Sequence, residues 1–268
     1  MEIIAPPHWQ MVDCISDLHL QAQEPQTRDA LSRFLSESPA QALFILGDLF
    51  EVWVGDDQLQ SGTGTGIEHE VAAMLHAASQ RMAIFIMRGN RDFLMGEQLG
   101  AACGAQLLED PSVLQLGTIR WLLTHGDAQC LADTPYQAFR AQVRSTPWQD
   151  RFLSQPLSQR LELARQMRSQ SEAQKTQRKA LHEPWIDLDS ATCLGQLQAH
   201  AADHMVHGHT HQPAQHPLGL GHSRWVLSDW DLQAKPPRAE ALRLNAAHPA
   251  PQRIALVGAT GPGANLNA

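Results

Sequence analysis

Short apolar runs of strand length recur along the chain at Met11 to Ile15, Ala42 to Leu46, Met82 to Met87, Ile119 to Thr124, Met205 to Val206 and Trp225 to Leu227. The early runs are nearly continuous in their hydrophobicity, the pattern of a strand covered on both faces. Between them the period changes. Leu31, Phe34 and Leu35 within Arg28 to Ser36, and Val71, Met74, Leu75 and Ala78 within Glu68 to Gln80, fall at the three- and four-residue spacing of an amphipathic helix. Strand alternating with helix predicts an α/β sheet packed by helices. In such sheets ligands collect outside the carboxyl ends of the strands, so the loops that follow the apolar runs are the ones to read.

The rhythm breaks between Thr134 and His182. This stretch is strand-poor and compatible with helix, and Pro135, Pro147 and Pro156 stand where helices would begin. It predicts a helical insertion, 134–182, in a core made of residues 1–133 and 183–257. Beyond Gln233, Arg243 and Ile254 to Val257 fit short terminal strands, and 258–268 reads as a disordered tail.

Length and charge sharpen this picture. A chain of 268 residues suits one large domain carrying an insertion, and 43% hydrophobic with 18% charged residues is ordinary globular composition. The formal net charge of −8 argues against a general basic surface for nucleic acid. Yet the insertion holds nine Lys and Arg against three acids. A solvated helix face is the ordinary meaning of such a run. Here Phe139, Trp148, Phe152, Leu153, Leu157, Leu161, Leu163 and Met167 lie among the bases, so cations and apolar surface share one segment. No apolar run approaches a membrane span, and Met1 to Met11 lacks the parts of a signal peptide, so a cytosolic protein is expected. Cys14, Cys103, Cys130 and Cys193 are scattered without a CxxC pair, which argues against a disulfide framework or a thiolate zinc site. The compositional oddity is 14 histidines beside one tyrosine.

The strand-end loops hold Asp17-Leu18-His19, Gly47-Asp48, Gly89-Asn90-Arg91-Asp92, His125-Gly126-Asp127 and His207-Gly208-His209-Thr210-His211. In an extended or turning segment, residues two apart can point to one side. Glycine in four of these five loops lets backbones approach closely. Carboxylate, imidazole and amide oxygen together suit Mn²⁺, Fe²⁺ or Zn²⁺ better than Ca²⁺. Each element alone is commonplace, but their joint occurrence after successive apolar strands points to a metal site.

The order DxH, GD, GN, HG, GHxH resembles the calcineurin-like metallophosphoesterases. That resemblance implies a two-sheet α/β sandwich flanked by helices, here with a helical cap insertion, around a dinuclear metal site. It places Asp17, His19, Asp48 and His211 on one ion and Asp48, Asn90, His125 and His209 on the other, with Asp48 bridging and His207 orienting a neighbour. Two such ions clamp a phosphoryl group and acidify the water that attacks it.

Gly89-Asn90-Arg91-Asp92-Phe93-Leu94 narrows the resemblance. With Ile45 to Glu51, Trp53 to Asp57, His125-Gly126-Asp127 and Tyr136 to Arg140, it is similar to the UDP-2,3-diacylglucosamine pyrophosphatase family of lipid A biosynthesis, over about residues 11 to 230. That implies two Mn²⁺ ions, a lipid-linked nucleotide sugar as substrate, products UMP and a diacylglucosamine 1-phosphate, and a monomer peripheral on the cytoplasmic face of the inner membrane. It also implies substrate contacts at Asn90, Arg91, Asp133, Ser171, Lys175, Arg178 and His209, with Asn90 and Arg91 catalytic. Arg91, always charged and planar, would act as an electrostatic clamp on the transferring phosphoryl group. The competing reading pairs it with Asp92 or another loop acid. A soluble phosphodiesterase or dinucleotide polyphosphate hydrolase of the same fold, and a non-catalytic metal-binding scaffold, are the alternative functions.

Overall fold

A computed structural model describes residues 1–60, 66–181 and 185–257. Among these residues, twelve strands form two six-stranded sheets. In the first, β2 (Met11–Ile15), β3 (Ala42–Leu46), β4 (Ala83–Met87) and β5 (Gln106–Leu108) run parallel, while β11 (Glu240–Asn245) lies antiparallel beside β2 and is edged by β12 (His248–Ala255). In the second, the order is β1 (Glu2–Ile4), β6 (Ser112–Leu116), β7 (Ile119–Thr124), β8 (His204–His207), β10 (His222–Val226) and β9 (Gln215–Gly219), with β7, β8 and β10 parallel.

The continuous apolar strands divide their side chains between two layers, as the twofold alternation of a strand requires. Leu43 and Ile45 of β3 face outward to α1 (Pro25–Glu37), α2 (Ile67–Ser79) and α3 (Glu97–Cys103), packing with Leu31, Phe34, Val71, Leu75 and Leu99. Ala42, Phe44 and Leu46 face inward and meet Trp121, Leu123 and Val206 of the second sheet. That sheet's far side packs Val113, Leu122 and Met205 against Cys193 and Leu197 of α7 (Ser190–Ala199). The result is the expected sandwich, two sheets face to face with helices outside.

The insertion is helical as expected: α4 (Thr134–Val143), α5 (Thr146–Leu153) and α6 (Leu157–Ala180). Pro135 and Pro147 occupy the first turns of α4 and α5, where a missing N–H costs nothing. Two expectations need correction. The strand expected at Trp225 to Leu227 runs from His222 to Val226, and the last strand ends at Ala255 rather than extending to Val257. In both cases backbone pairing, to β8 and to β11, sets the bounds rather than the apolar run. The tail, 258–268, and His182 lie outside the described residues. All four cysteines are free and buried.

Candidate metal centre

The carboxyl ends of β2, β3 and β4 in one sheet, and of β7 and β8 in the other, open at the same edge of the sandwich. Asp17 and His19 follow β2, Asp48 follows β3, Asn90 follows β4, His125 follows β7, and His209 and His211 follow β8. Seven residues distant in sequence thereby converge. His19 Nε2 lies 3.5 Å from His211 Nε2, which is 3.2 Å from Asp17 Oδ1. Asp48 stands between the two sides, Oδ2 3.9 Å from His19 Nε2 and Oδ1 3.7 Å from His125 Nε2. Asn90 Oδ1 lies 3.0 Å from His125 Nε2 and 2.8 Å from His209 Nδ1. Two triads have ligand atoms close enough to share an ion: Asp17, His19 and His211, and Asp17, Asp48 and His125.

The backbone is bent to achieve this. Asp17, His19, Asp48, His209 and His211 all adopt left-handed conformations, with φ between 49° and 67°. Asp and His tolerate this region better than branched residues, but each such residue still costs roughly 1 kcal/mol or more. Asp17 and His19 therefore share one side because the chain turns at both, not because it is extended. Gly89 and Gly208 pack where a side chain cannot: a methyl on Gly89 would fall on the Asp48 carboxylate, and one on Gly208 on Asp17 Oδ2.

The donor chemistry fits a cation. His125 Nδ1 lies 2.9 Å from the Leu46 carbonyl and donates to it, which leaves Nε2 as a lone pair aimed at Asn90 Oδ1 and Asp48 Oδ1. Acceptors facing acceptors require a proton or a metal ion between them. Burial would lower the His125 pKa, but Asp48 and Asp17 outweigh it and hold it up to about 9. Burial would likewise raise that of Asp17, yet His211, His125 and His19 keep it well below the usual carboxylate range. His209 is pushed down to about 4, first by burial and then by the charge on His125. Metal ions entering here would displace a proton, so binding is coupled to pH.

Around the ligands lies a shell of acids with separate work. Asp92 accepts backbone hydrogen bonds from Gly89 (2.7 Å), Leu49 (2.7 Å), Asp48 (3.3 Å) and Phe50 (3.3 Å), and so ties the β3 and β4 loops together. Asp229 Oδ2 stands 3.7 Å from His211 Nδ1 and is gripped by both arms of Arg238. Glu51 faces His19 Nδ1 at 3.1 Å. His207 is no part of the ligand cluster: its Nε2 meets Arg224 at 3.0 Å and its Nδ1 donates to Gly208 O at 2.9 Å. Arg91 donates its backbone N–H to Asp48 Oδ1 at 2.8 Å and reaches Glu51 Oε1 with NH1 at 3.4 Å.

The cap lies against this edge. Arg140 and Tyr136 of α4 donate to the buried Asp127 at 2.8 and 2.6 Å, and Arg144 donates to Gly89 O at 2.9 Å with its guanidinium 5.4 Å above the Phe93 ring. Phe93, Trp148 and Phe152 form an aromatic run from the Asn90 loop into α5. Asp133 caps α4, accepting from Tyr136 N at 3.3 Å, and Ser171 is half-buried on α6. The side chains of Lys175 and Arg178 lie outside the described residues.

The sequence profile of the calcineurin-like phosphoesterases matches residues 11–213. The chain belongs to that family. Among its relatives, a Bordetella pertussis protein named UDP-2,3-diacylglucosamine hydrolase is 42% identical over 232 residues, covering 83% of this chain and 87% of its own. Proteins of the same name from Marinobacter nauticus, 42% identical over 240 residues with 85% and 95% covered, and Stenotrophomonas maltophilia, 41% over 237 residues with 85% and 94%, match equally broadly. The family's metal-dependent phosphoester chemistry accords with the converging ligands.

Sequence reasoning had no role for Glu51, Asp127 or Asp229, and placed Asp92 only as a possible partner of Arg91, whereas it binds backbone amides and Arg91 reaches Glu51. Glu51, Asp92 and Asp127 stand inside motifs quoted for their ligands, and Asp229 follows the last apolar run, three residues beyond β10, where a carboxyl-end loop was due the same reading.

Proposed function

We propose that this chain hydrolyses the pyrophosphate bond of UDP-2,3-diacylglucosamine, giving UMP and 2,3-diacylglucosamine 1-phosphate, as a step of lipid A biosynthesis. The observation that carries this reading is the joining of a family metal centre to a basic, aromatic cap along a sequence 41–42% identical to proteins named for that substrate. Divalent ions, for which we propose manganese, supply polarisation of the phosphoryl oxygens and acidification of the attacking water. Asp17, His19, Asp48 and His211 would hold one ion, and Asp48, Asn90, His125 and His209 the other. Arg91, beside Asp48, places a permanent positive charge where the transferring phosphoryl group gains negative charge.

The cap is assigned the rest of the substrate. Ser171, Lys175 and Arg178 on α6, with Asp133 at the start of α4, are the proposed contacts to the sugar phosphate, and exposed Phe139 and Leu153 offer apolar surface for acyl chains. Among the described residues no helix is long and apolar enough to cross a membrane, and peripheral attachment through the cap at the cytoplasmic face of the inner membrane is the proposed route to a lipid substrate.

The test is direct. Purified chain with Mn²⁺ is expected to release UMP from UDP-2,3-diacylglucosamine in mixed micelles, and to lose that activity with EDTA. Hydrolysis of bis(p-nitrophenyl) phosphate without UMP release from the lipid would overturn the substrate assignment in favour of a soluble phosphodiesterase.

A further inference from the structure

Glu51 follows β3 by five residues, its backbone N–H held by the Leu20 carbonyl at 3.2 Å, and only 16% of its side chain is exposed. Three functional parts of the molecule meet on this carboxylate. Oε2 faces Nδ1 of the candidate ligand His19 at 3.1 Å. Oε1 receives NH1 of Arg91 at 3.4 Å, and also the Nε of Arg168, which reaches in from α6 of the cap. Metal ligand, clamp and cap are thus joined by one side chain that is not itself among the candidate ligands.

The geometry points to Glu51 as a positioning residue that couples the seating of the cap to the placement of the Arg91 guanidinium and the His19 ring. This rests on the hydrolase reading above and extends it to how cap and metal centre act as one site. The physical argument runs through shared valence. A carboxylate can grip one guanidinium with both oxygens, and such bidentate pairs are the strongest it makes. Here Arg168 takes a place on Oε1 and the His19 ring crowds Oε2, so Glu51 meets Arg91 NH1 on Oε1 while the Arg91 Nε lies 3.9 Å from Asp48 Oδ2, over the ligands. With Arg168 withdrawn, Glu51 is freed to draw Arg91 toward itself and off the phosphoryl position. His19 Nδ1 makes no hydrogen bond, so the 3.1 Å approach of Oε2 orients the ring by charge and contact and turns Nε2 toward the ion position.

Two variants and their combination test the coupling, with Arg165→Ala on the same helix as a control, since Arg165 is exposed and pairs with Glu162. Arg168→Ala is expected to lower kcat on the nucleotide-sugar lipid about tenfold with little change in KM, and Glu51→Gln to do the same. Glu51→Gln should in addition weaken Mn²⁺ binding by roughly tenfold in a calorimetric titration, while Arg168→Ala should not. The double variant should be no worse in kcat than the more damaged single. Hydrogen exchange of α6 amides around Arg168 should rise in both singles and stay at the wild-type level in the control. Multiplying losses in the double variant, or singles that change KM alone, would overturn the coupling. A wild-type chain that leaves the lipid intact would sink the hydrolase reading, whereas unchanged α6 exchange in Glu51→Gln would sink the role of Glu51 alone.

Discussion

Asp48 and His207 are both buried acid–base groups in the strand-end loops, yet they are expected to matter for different reasons. Asp48 reaches toward ligands from both sheets, so Asp48→Ala should empty at least one ion position, whereas His207→Ala should leave both filled. Elemental analysis of dialysed protein separates them, and two full equivalents of manganese in the Asp48 variant would reject a bridging role. His207 shows itself instead through pH. Burial, reinforced by the charge of Arg224, pushes its pKa down to about 3, so it stays neutral in the fold where an unfolded histidine, near 6.5, takes a proton. The unfolded state then binds more protons between these values, and stability falls as pH drops through that window. Comparing EDTA-treated wild type and His207→Gln, the loss in melting temperature from pH 7 to pH 5 should be smaller in the variant; equal losses would remove His207 as a contributor. The ligand residues were legible because they are chemically conspicuous, and four of them, Asp48, Asn90, His125 and His209, sit next to glycine. Their supporting acids were not, since a carboxylate that binds backbone amides, as Asp92 does, looks in sequence like any loop aspartate.

At the scale of elements, the cap is held by cations whose work is internal. Four of the described bases are engaged by the protein itself: Arg140 and Arg144 serve Asp127 and Gly89, Arg168 serves Glu51, and Arg160 is buried, donating to the Val54 carbonyl and to Asp57. Burial of a cation demands such partners, and a strand-end edge rich in acids provides them. Arg160→Leu should therefore cost about 2 kcal/mol in urea unfolding and speed proteolysis at the start of α6, while Arg165→Ala should stay within about 0.5 kcal/mol. Matching stabilities would return Arg160 to the status of a surface base. The same physics explains which strands were legible. β2, β3 and β7 were bounded correctly because most of their residues are buried on both faces and their apolar runs are interrupted by few polar residues, Asp13 in β2 and Arg120 in β7. β1, β5 and β9 are edge or near-surface strands, short or alternating with polar residues, and their identity comes from partners elsewhere in the chain, such as the pairing of Glu2–Ile4 with Val113–Gln115.

Over the whole molecule, the candidate centre straddles the seam of the sandwich: one sheet supplies Asp17, His19, Asp48 and Asn90, the other His125, His209 and His211. Ions bound there cross-link two layers that otherwise meet through apolar side chains, and they offset the strain of five left-handed residues. Ligand present at about 100 times its Kd stabilises a fold by about 2.7 kcal/mol. For a chain of this size, adding EDTA to Mn²⁺-loaded protein should lower the melting temperature by roughly 5–10 °C. Identical melting with chelator and with excess Mn²⁺ would contradict a site that spans both sheets.

The same arrangement has a consequence for synthesis. His19 and His211 face each other across 192 residues of sequence, so at about 5–20 residues per second the first ligands leave the ribosome roughly 10–40 seconds before the last. The free edge of β2 waits longer still, because β11, which covers it, is made only after His211. A nascent chain halted before β8 would carry complete strand–helix units, an uncovered strand edge and five of the seven candidate ligands, which makes the late C-terminal hairpin the step that protects the early strands from pairing with another chain.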